Sequence, residues 1–314
     1  MAEQLTNSIL MVSPDSFAYN RQTVESNTFQ KELNYDTETL RIKVMGEFKA
    51  MVSTLNSNGI DVYVLGNDTE EDLPDAVFPN NWFATYEDAT VILFPMLTPN
   101  RRKERDKNII ENTFELAGFE AKKLIDLSPY ENENLFLEGT GSLVLDRKNN
   151  AVFAVESERT TKQMFDNYCN QMKISPASRI FFHAVDESGS PIYHTNVIMS
   201  IGEGFAVVCD ECIADKNEKT EVLYKLKQLS LDVITINYAQ LKAFCGNLLN
   251  VKSNAGQSLI VMSENAKNAF NSEQISKLSN YGKIIAVNID TIEKTGGGSA
   301  RCMMAEIFLP RQLV

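Results

Sequence analysis

The sequence predicts an α/β fold of five ββαβ repeats closed into a ring. Three observations point to it. A polar or glycine-bearing turn that opens an apolar strand returns five times along the 314 residues. With Asn80, Glu138, His194, Cys245 and Gly296 taken as equivalent, the turns recur every 51–58 residues, the spacing of a repeat architecture. The helix that the fifth unit lacks stands at the N-terminus, so the two ends are expected to pair. One such unit cannot bury its apolar face alone, whereas a closed ring can.

The elements follow in order. Ser8–Ser13 reads as a strand, 37–56 as a helix and Asp61–Leu65 as a strand. The first opening, Phe78-Pro79-Asn80-Asn81-Trp82-Phe83, leads to strands at Trp82–Tyr86 and Thr90–Pro95, a helix over about 100–117 and a strand at Ala121–Leu127. The second, Leu137–Leu143, leads to Ser142–Asp146 and Ala151–Val155, joined by the hairpin turn Arg147-Lys148-Asn149-Asn150. A helix over Arg159–Met172 and the strand Arg179–Val185 complete that unit.

The third opening, Tyr193-His194-Thr195-Asn196-Val197, precedes strands at Thr195–Ile201 and Phe205–Cys209. The helix Asp215–Leu229 follows, with Val222, Leu226 and Leu229 on one stripe, and then the strand Asp232–Asn237. The fourth, Phe244-Cys245-Gly246-Asn247-Leu248, precedes Leu248–Lys252, Ser258–Met262, a helix over about 266–281 and the strand Lys283–Ile289. The fifth is the turn Thr295–Cys302, followed by an apolar strand, Met303–Leu309. With no Gly/Ser/Pro-rich linker, residues 1–314 are expected to form a single catalytic domain; two α/β domains divided near Ser175–Ser178 are the competing arrangement.

Composition narrows the function. A net charge of −12 argues against nucleic acid or an anionic membrane as the main partner, since both need a basic face. The first residues, MAEQLTNSILMVSPDSF, lack a basic segment followed by an apolar one, and no apolar run approaches the ~18 residues of a membrane helix. Five irregularly spaced cysteines fit reduced thiols in a cytoplasm better than a disulfide framework. Cys209-Asp210-Glu211-Cys212 is a lone CxxC without a second pair of ligands, so no metal is expected.

A ring brings equivalent turns together near its axis, and with them Glu138, His194 and Cys302. Alone, the glycine-rich turn before Cys302 reads as a surface loop with a buried thiol. Together the three are the parts of nucleophilic catalysis: a thiolate that attacks, an imidazole that moves protons and a carboxylate that orients it. His183, the only other histidine, lies in an apolar run and reads as structural.

At Leu73-Pro74-Asp75-Ala76-Val77-Phe78, Pro99-Asn100-Arg101-Arg102-Lys103-Glu104, Leu137–Ser142, His194-Thr195-Asn196-Val197 and Gly296–Cys302 the chain resembles the guanidine-modifying superfamily. That superfamily includes dimethylarginine dimethylaminohydrolase, arginine deiminase, succinylarginine dihydrolase and the amidinotransferases. The combination is similar to bacterial citrulline-utilisation hydrolases. The resemblance implies a five-bladed α/β propeller, the pentein fold. It implies Cys302 as nucleophile, His194 as general acid/base and Glu138 as the triad carboxylate. It also implies Asp75 for the substrate's α-amine, Arg101 and Arg159 for its α-carboxylate, and no cofactor.

The departures are informative. Where relatives carry carboxylates, this chain has Asn80, Asn81 and Asn196. An amide both donates and accepts hydrogen bonds, which suits a neutral ureido group better than a guanidinium. The expected activity is cysteine-dependent hydrolysis of a C–N bond in the guanidino or ureido group of a small amino acid, arginine-, citrulline- or methylarginine-like. The asparagines favour one that is citrulline-like, or an arginine derivative hydrolysed twice. An amidinotransferase and a non-catalytic binding ring are the alternatives, and a homodimer is compatible with either. Pro14–Asn27, polar and following the first strand, is expected to cover the site.

Overall fold

Short apolar runs bounded by turns become short strands, and each longer amphipathic stretch becomes a helix over the sheet it follows. The computed structural model describes residues 2–66, 71–105 and 107–312. The strands are β1 Ser8–Val12, β2 Asp61–Leu65, β3 Phe83–Thr85, β4 Thr90–Leu93, β5 Lys123–Asp126, β6 Val144–Asp146, β7 Ala151–Val155 and β8 Arg179–Phe182. Then come β9 Met199–Ile201, β10 Phe205–Val208, β11 Asp232–Thr235, β12 Leu249–Lys252, β13 Ser258–Ser263, β14 Lys283–Val287 and β15 Ala305–Glu306.

They form five mixed three-stranded sheets: β3-β4-β5, β6-β7-β8, β9-β10-β11, β12-β13-β14 and β15-β1-β2. In each, the middle strand pairs antiparallel with the first and parallel with the third. The parallel pairs need a crossover, and helices supply it. The C-terminal β15 completes the N-terminal sheet, with Ile9 opposite Glu306 and Leu10 opposite Ala305. First strands touch across sheets: β6 lies against β9, β9 against β12 and β15 against β3.

The main helices are α1 Thr37–Ser57, α2 Lys107–Leu116, α3 Lys162–Gln171, α4 Lys216–Gln228, α5 Glu264–Ala269, α6 Ser272–Ser279 and α7 Asp290–Gly296. Asp36 caps α1 by accepting the Thr39 amide, and Asp215 caps α4 by accepting those of Asn217 and Glu218. Val44, Phe48, Met51 and Leu55 form the buried stripe of α1, in one apolar cluster with Ile9 and Met11. Among the described residues, no helix is long and apolar enough to cross a membrane.

Five turns share one hydrogen bond. The carbonyls of Phe78, Glu138, His194, Phe244 and Ser299 accept the amides of Asn81, Gly141, Val197, Asn247 and Cys302. This corrects the register expected from sequence at three openings. Phe78 stands where Asn80 was placed, Phe244 where Cys245 was, and Ser299 where Gly296 was. The glycines serve a different purpose: Gly297, at φ 64°, ends α7, and its amide returns to the Glu293 carbonyl.

Other expectations shift for local reasons. Thr195–Ile198 is a helical turn, not strand, and the turn expected at the second opening is also helical, Gly139–Ser142, so that the strand begins at Val144 and not at Ser142. The Thr195 hydroxyl, held between the Ser142 carbonyl and the Val155 amide, fixes the first of these. The helix expected over 266–281 is two helices, because Asn271 and Gln274 form a capping box that starts α6 afresh. The helix expected over 100–117 is a short turn, Pro99–Arg102, and then α2; position 106 lies outside the described residues. Arg159 and Thr160 precede α3, and Thr160 bridges Ser157 and Leu137. Of Met303–Leu309 only Ala305–Glu306 is strand, since the turn runs on until the Met304 amide meets the Arg301 carbonyl.

His183 lies just beyond β8 at the surface, its ring 2.6 Å from Glu156 and 2.8 Å from Glu218. Those carboxylates, Glu218 first, raise its pKa. It is a surface ion-pair residue, not a core one.

Candidate active site

The turns Pro79–Asn81, Gly139–Ser142 and Thr195–Ile198 pack together. That contact brings Glu138 and His194, each the residue before its turn, side by side. His194 Nε2 lies 2.8 Å from Glu138 Oε2. The other carboxylate oxygen, Oε1, accepts the Leu97 amide at 3.0 Å, and Arg159 Nη1 stands 3.5 Å from Oε2. The Arg159 guanidinium lies 4.9 Å over the Tyr193 ring, which packs on the His194 ring. Glu138, His194 and Cys302 are 0, 2 and 3 % exposed.

Burial disfavours charge on Glu138, but Arg159, the His194 hydrogen bond and Arg101 outweigh it and hold the carboxyl at about 2. Burial also dominates at His194 and, against the pull of Glu138, pushes the imidazole down to about 4. At neutral pH the pair is thus a carboxylate beside a neutral imidazole. Nε2 carries the hydrogen that Glu138 accepts, and Nδ1 keeps the lone pair.

These shifts set a pH dependence of stability. His194 has a folded value below its ordinary 6.5, so its contribution is present above 6.5 and lost as pH falls towards 4. The contribution of Glu138 is lost between 4.5 and about 2. Glu104 acts oppositely: burial, opposed by Arg101, raises it from 4.5 to about 7, so its contribution is lost as pH rises through that window. Because the His194 and Glu104 contributions oppose each other over this window, the test is a difference: the thermal midpoint of His194→Gln is expected to rise relative to that of the unsubstituted protein as pH falls from 6.5 to 4, and calorimetry across that range checks it.

Two glycines let this cluster close. At Gly139, φ 46°, a Cβ would stand 2.4 Å from the Asn80 carbonyl oxygen. At Gly141 a Cβ would stand 2.4 Å from Asn81 Nδ2 and 2.7 Å from His194 Nδ1. Gly141→Ala must displace the amide or the imidazole. The expected result is a fall in kcat of about 10²-fold, from steady-state kinetics, with about 1–3 kcal/mol of stability lost in denaturant titration.

Cys302 lies at the fifth turn, its amide 2.9 Å from the Ser299 carbonyl. Two amides face its sulfur: Asn247 Nδ2 at 3.3 Å and Asn196 Nδ2 at 3.6 Å. Asn196 Oδ1 is buried without a hydrogen-bond partner. Asn81 Nδ2 donates to Asn80 Oδ1 at 3.0 Å, and Asn80 Nδ2 donates to Thr140 at 3.3 Å.

Asp75 is buried, with Oδ2 taking the Asn20 amide at 2.7 Å and Oδ1 without a partner. Burial, opposed by Arg101, raises its pKa. Arg101 is heavily engaged: Nε and Nη2 meet the two oxygens of Glu104, each at 2.9 Å, and Nη1 meets Asn81 Oδ1 at 2.7 Å. To grip a carboxylate with its fork, Arg101 must exchange Glu104 for it. The segment expected as a cover packs on these groups. Ser26 accepts Arg159 Nη2 at 2.8 Å, and Asn27 donates to the Gly296 and Gly297 carbonyls.

Glu104, Asn247 and Tyr193 were not singled out from sequence. Asn247 had a signal, because it sits in the fourth opening two residues after Cys245. Glu104 had one too, standing three residues after Arg101, and Tyr193 stands directly before His194 in the third opening; neither position by itself shows that packing closes the contact. Cys209 and Cys212 are buried with their sulfurs 2.7 Å apart, and no cluster of metal ligands exists among the described residues.

A family model described as N,N dimethylarginine dimethylhydrolase, eukaryotic, matches residues 13–309. No curated protein matches the sequence. The N-terminal domain of ArgZ, an arginine dihydrolase from the ornithine–ammonia cycle in cyanobacteria, shares the fold at TM-score 0.73 and 17% identity, over 96% of this chain and 99% of that one. Against whole ArgZ the TM-score is 0.72 at 17% identity; 98% of this chain is covered, but it spans 41% of the length of that protein. A dimethylarginine dimethylaminohydrolase variant carrying an S-methyl-L-thiocitrulline adduct matches at TM-score 0.63 and 15% identity, over 96% and 99%.

Proposed function

The chain belongs to the N,N-dimethylarginine dimethylhydrolase family of the guanidine-modifying superfamily, and on that premise we propose that it is a cysteine-dependent hydrolase of the arginine dihydrolase type. It cleaves C–N bonds of a guanidino group and then of the ureido group so formed. Its five sheets are read as the blades of a single propeller domain, with the site on the axis. Cys302 is the nucleophile, His194 the general acid/base and Glu138 the carboxylate that orients and charges the imidazole. Asp75 receives the α-amine. Arg159 and Arg101 face the α-carboxylate, Arg101 after releasing Glu104.

The single observation that carries the substrate reading is the set of amides at Cys302. Asn247 and Asn196 point Nδ2 at the sulfur, and Asn196 Oδ1 is buried and unpaired. An unpaired buried acceptor costs about 1–3 kcal/mol unless a ligand donates to it. A guanidino or ureido NH₂ is such a donor. The ureido oxygen in turn needs a donor, which an amide supplies and a carboxylate does not.

The chemistry runs in two rounds. The Cys302 sulfur attacks the central carbon and its proton passes to His194 Nδ1. As the C–N bond breaks, the imidazolium gives that proton to departing ammonia. Water, deprotonated by His194, attacks the carbon. The C–S bond breaks, the thiol regains the proton, and a ureido product remains. Repetition on that product releases a second ammonia and leaves a carbamate, which decomposes to carbon dioxide and the amine. The covalent intermediate divides each hard substitution into two easier steps.

The match to the dimethylarginine family model favours a second reading, single hydrolysis of a methylated arginine. Ammonia and amine release from arginine, citrulline and dimethylarginine, measured side by side with Cys302→Ala as blank, separates them. Two equivalents of ammonia and ornithine are expected from arginine. Turnover of dimethylarginine alone overturns the dihydrolase reading.

A further inference from the structure

We propose that Asn247 is a positioning residue for the Cys302 sulfur, presenting one N–H that cannot turn away. The inference rests on Cys302 being the nucleophile. Asn247 is fully buried; two hydrogen bonds to backbone groups fix which way its amide faces, and both amide atoms lie near the sulfur, Nδ2 at 3.3 Å and Oδ1 at 3.6 Å. Its Oδ1 accepts the Arg301 amide at 3.1 Å, and a backbone N–H can only be given to the oxygen. Its Nδ2 donates to the Asn196 carbonyl at 2.9 Å, which can only receive from the nitrogen. A flipped amide would set N–H against N–H and oxygen against oxygen. The remaining Nδ2 hydrogen therefore faces Cys302 Sγ, 3.3 Å away.

Asn196 differs. Its Nδ2 also approaches the sulfur, at 3.6 Å, but its Oδ1 has no partner, so nothing locks that amide before a ligand arrives. The two asparagines thus divide the work. Asn247 holds the sulfur, and Asn196 Oδ1 is left for a donor on the substrate. The fold makes the first arrangement natural. Asn247 and Cys302 occupy the same position in successive turns, each giving its amide to the carbonyl three residues back. The Asn247 side chain reaches across to the backbone just before Cys302, so it ties the two turns and the nucleophile together.

The thiol can give its own hydrogen to Asn247 Oδ1 at 3.6 Å, but the nearer contact is the Nδ2 donation. A hydrogen bond to a charged acceptor is stronger than one to a neutral acceptor, so the donor supports the sulfur as it becomes a thiolate. Two variants test this. Asn247→Asp keeps the shape and the acceptor for Arg301 but removes both donations. Asn247→Ser keeps a small donor. Alkylation of Cys302 by iodoacetamide is followed at pH 7 without substrate, against Cys302→Ala, alongside kcat and KM.

Alkylation is expected to slow about tenfold in Asn247→Asp and less in Asn247→Ser, with kcat falling about 10–100-fold and KM within about threefold. A folded variant with unchanged alkylation and kcat, or with a change in KM alone, overturns the proposal. If neither variant folds, the unmodified protein decides. The Asn247 side-chain amide resonances are expected to shift when Cys302 is alkylated, and their constancy would overturn the assignment. Since alkylation uses no substrate, a wrong substrate in the dihydrolase reading leaves this result standing.

Discussion

Cys302→Ala is expected to lose turnover on the order of 10⁶-fold, to the limit of detection, while remaining folded. The effect on catalysis is large because no other described group can take the part of the sulfur. The remaining cysteines, Cys169, Cys209, Cys212 and Cys245, are buried elsewhere in the core. The stability effect is small by comparison. Cys302 sits in an apolar cluster beside Val77, Phe78, Ile292 and Met303, and alanine leaves only a sulfur-sized gap, about 1 kcal/mol. The variant should still bind an arginine-like amino acid, because Asp75, Arg159 and the asparagines are untouched. Steady-state kinetics and calorimetric titration on the same preparation check both halves. Residual turnover within tenfold of the unsubstituted protein would mean that another group attacks.

Glu138→Gln is expected to lower kcat by about 10³–10⁴-fold with little change in size or packing. The reason is the direction of one hydrogen bond. Glu138 accepts the Nε2 hydrogen of His194 and so leaves the Nδ1 lone pair free. Its Oε1 already takes the Leu97 amide, an interaction that the glutamine oxygen can keep. That choice turns the glutamine NH₂ towards His194 Nε2, which must then accept. The hydrogen moves to Nδ1, and the imidazole can no longer take a proton there. The negative charge that would stabilise an imidazolium is lost as well, and Arg159 loses its partner at 3.5 Å. A pH–rate profile for both proteins, with burst measurements of the covalent intermediate, checks this. A kcat within tenfold of the unsubstituted protein would remove Glu138 from the mechanism.

Much of the fold could be read from local pattern. The bounds of Asp61–Leu65 and Ala151–Val155 match the structure residue for residue, because a short apolar run between turn residues is a local matter. The return of the openings placed Glu138 and His194 at equivalent positions, each the residue before its turn. The first, fourth and fifth openings slipped, by two residues at Asn80, one at Cys245 and three at Gly296. At the fifth, glycine was read as the turn itself, whereas Gly297 ends a helix and the hydrogen-bonded turn begins at Ser299.

The sequence by itself determined an α/β chain with five recurrent openings, and a thiol, an imidazole and a carboxylate placed at them. Residue type and spacing are enough for that, since secondary structure follows the period of the apolar residues and the chemistry of the turns. Only the tertiary structure decided that Glu138 Oε2 meets His194 Nε2 across 56 positions of chain. It also decided that Glu104 already occupies the fork of Arg101, and that Asn247 turns its nitrogen to the sulfur. The first and last are long-range hydrogen bonds in a dry interior, and the pair Arg101–Glu104, though only three residues apart, is closed by burial. Their directions are set by which donors and acceptors packing leaves without water, and that is a property of the assembled sheets and not of any one stretch of sequence.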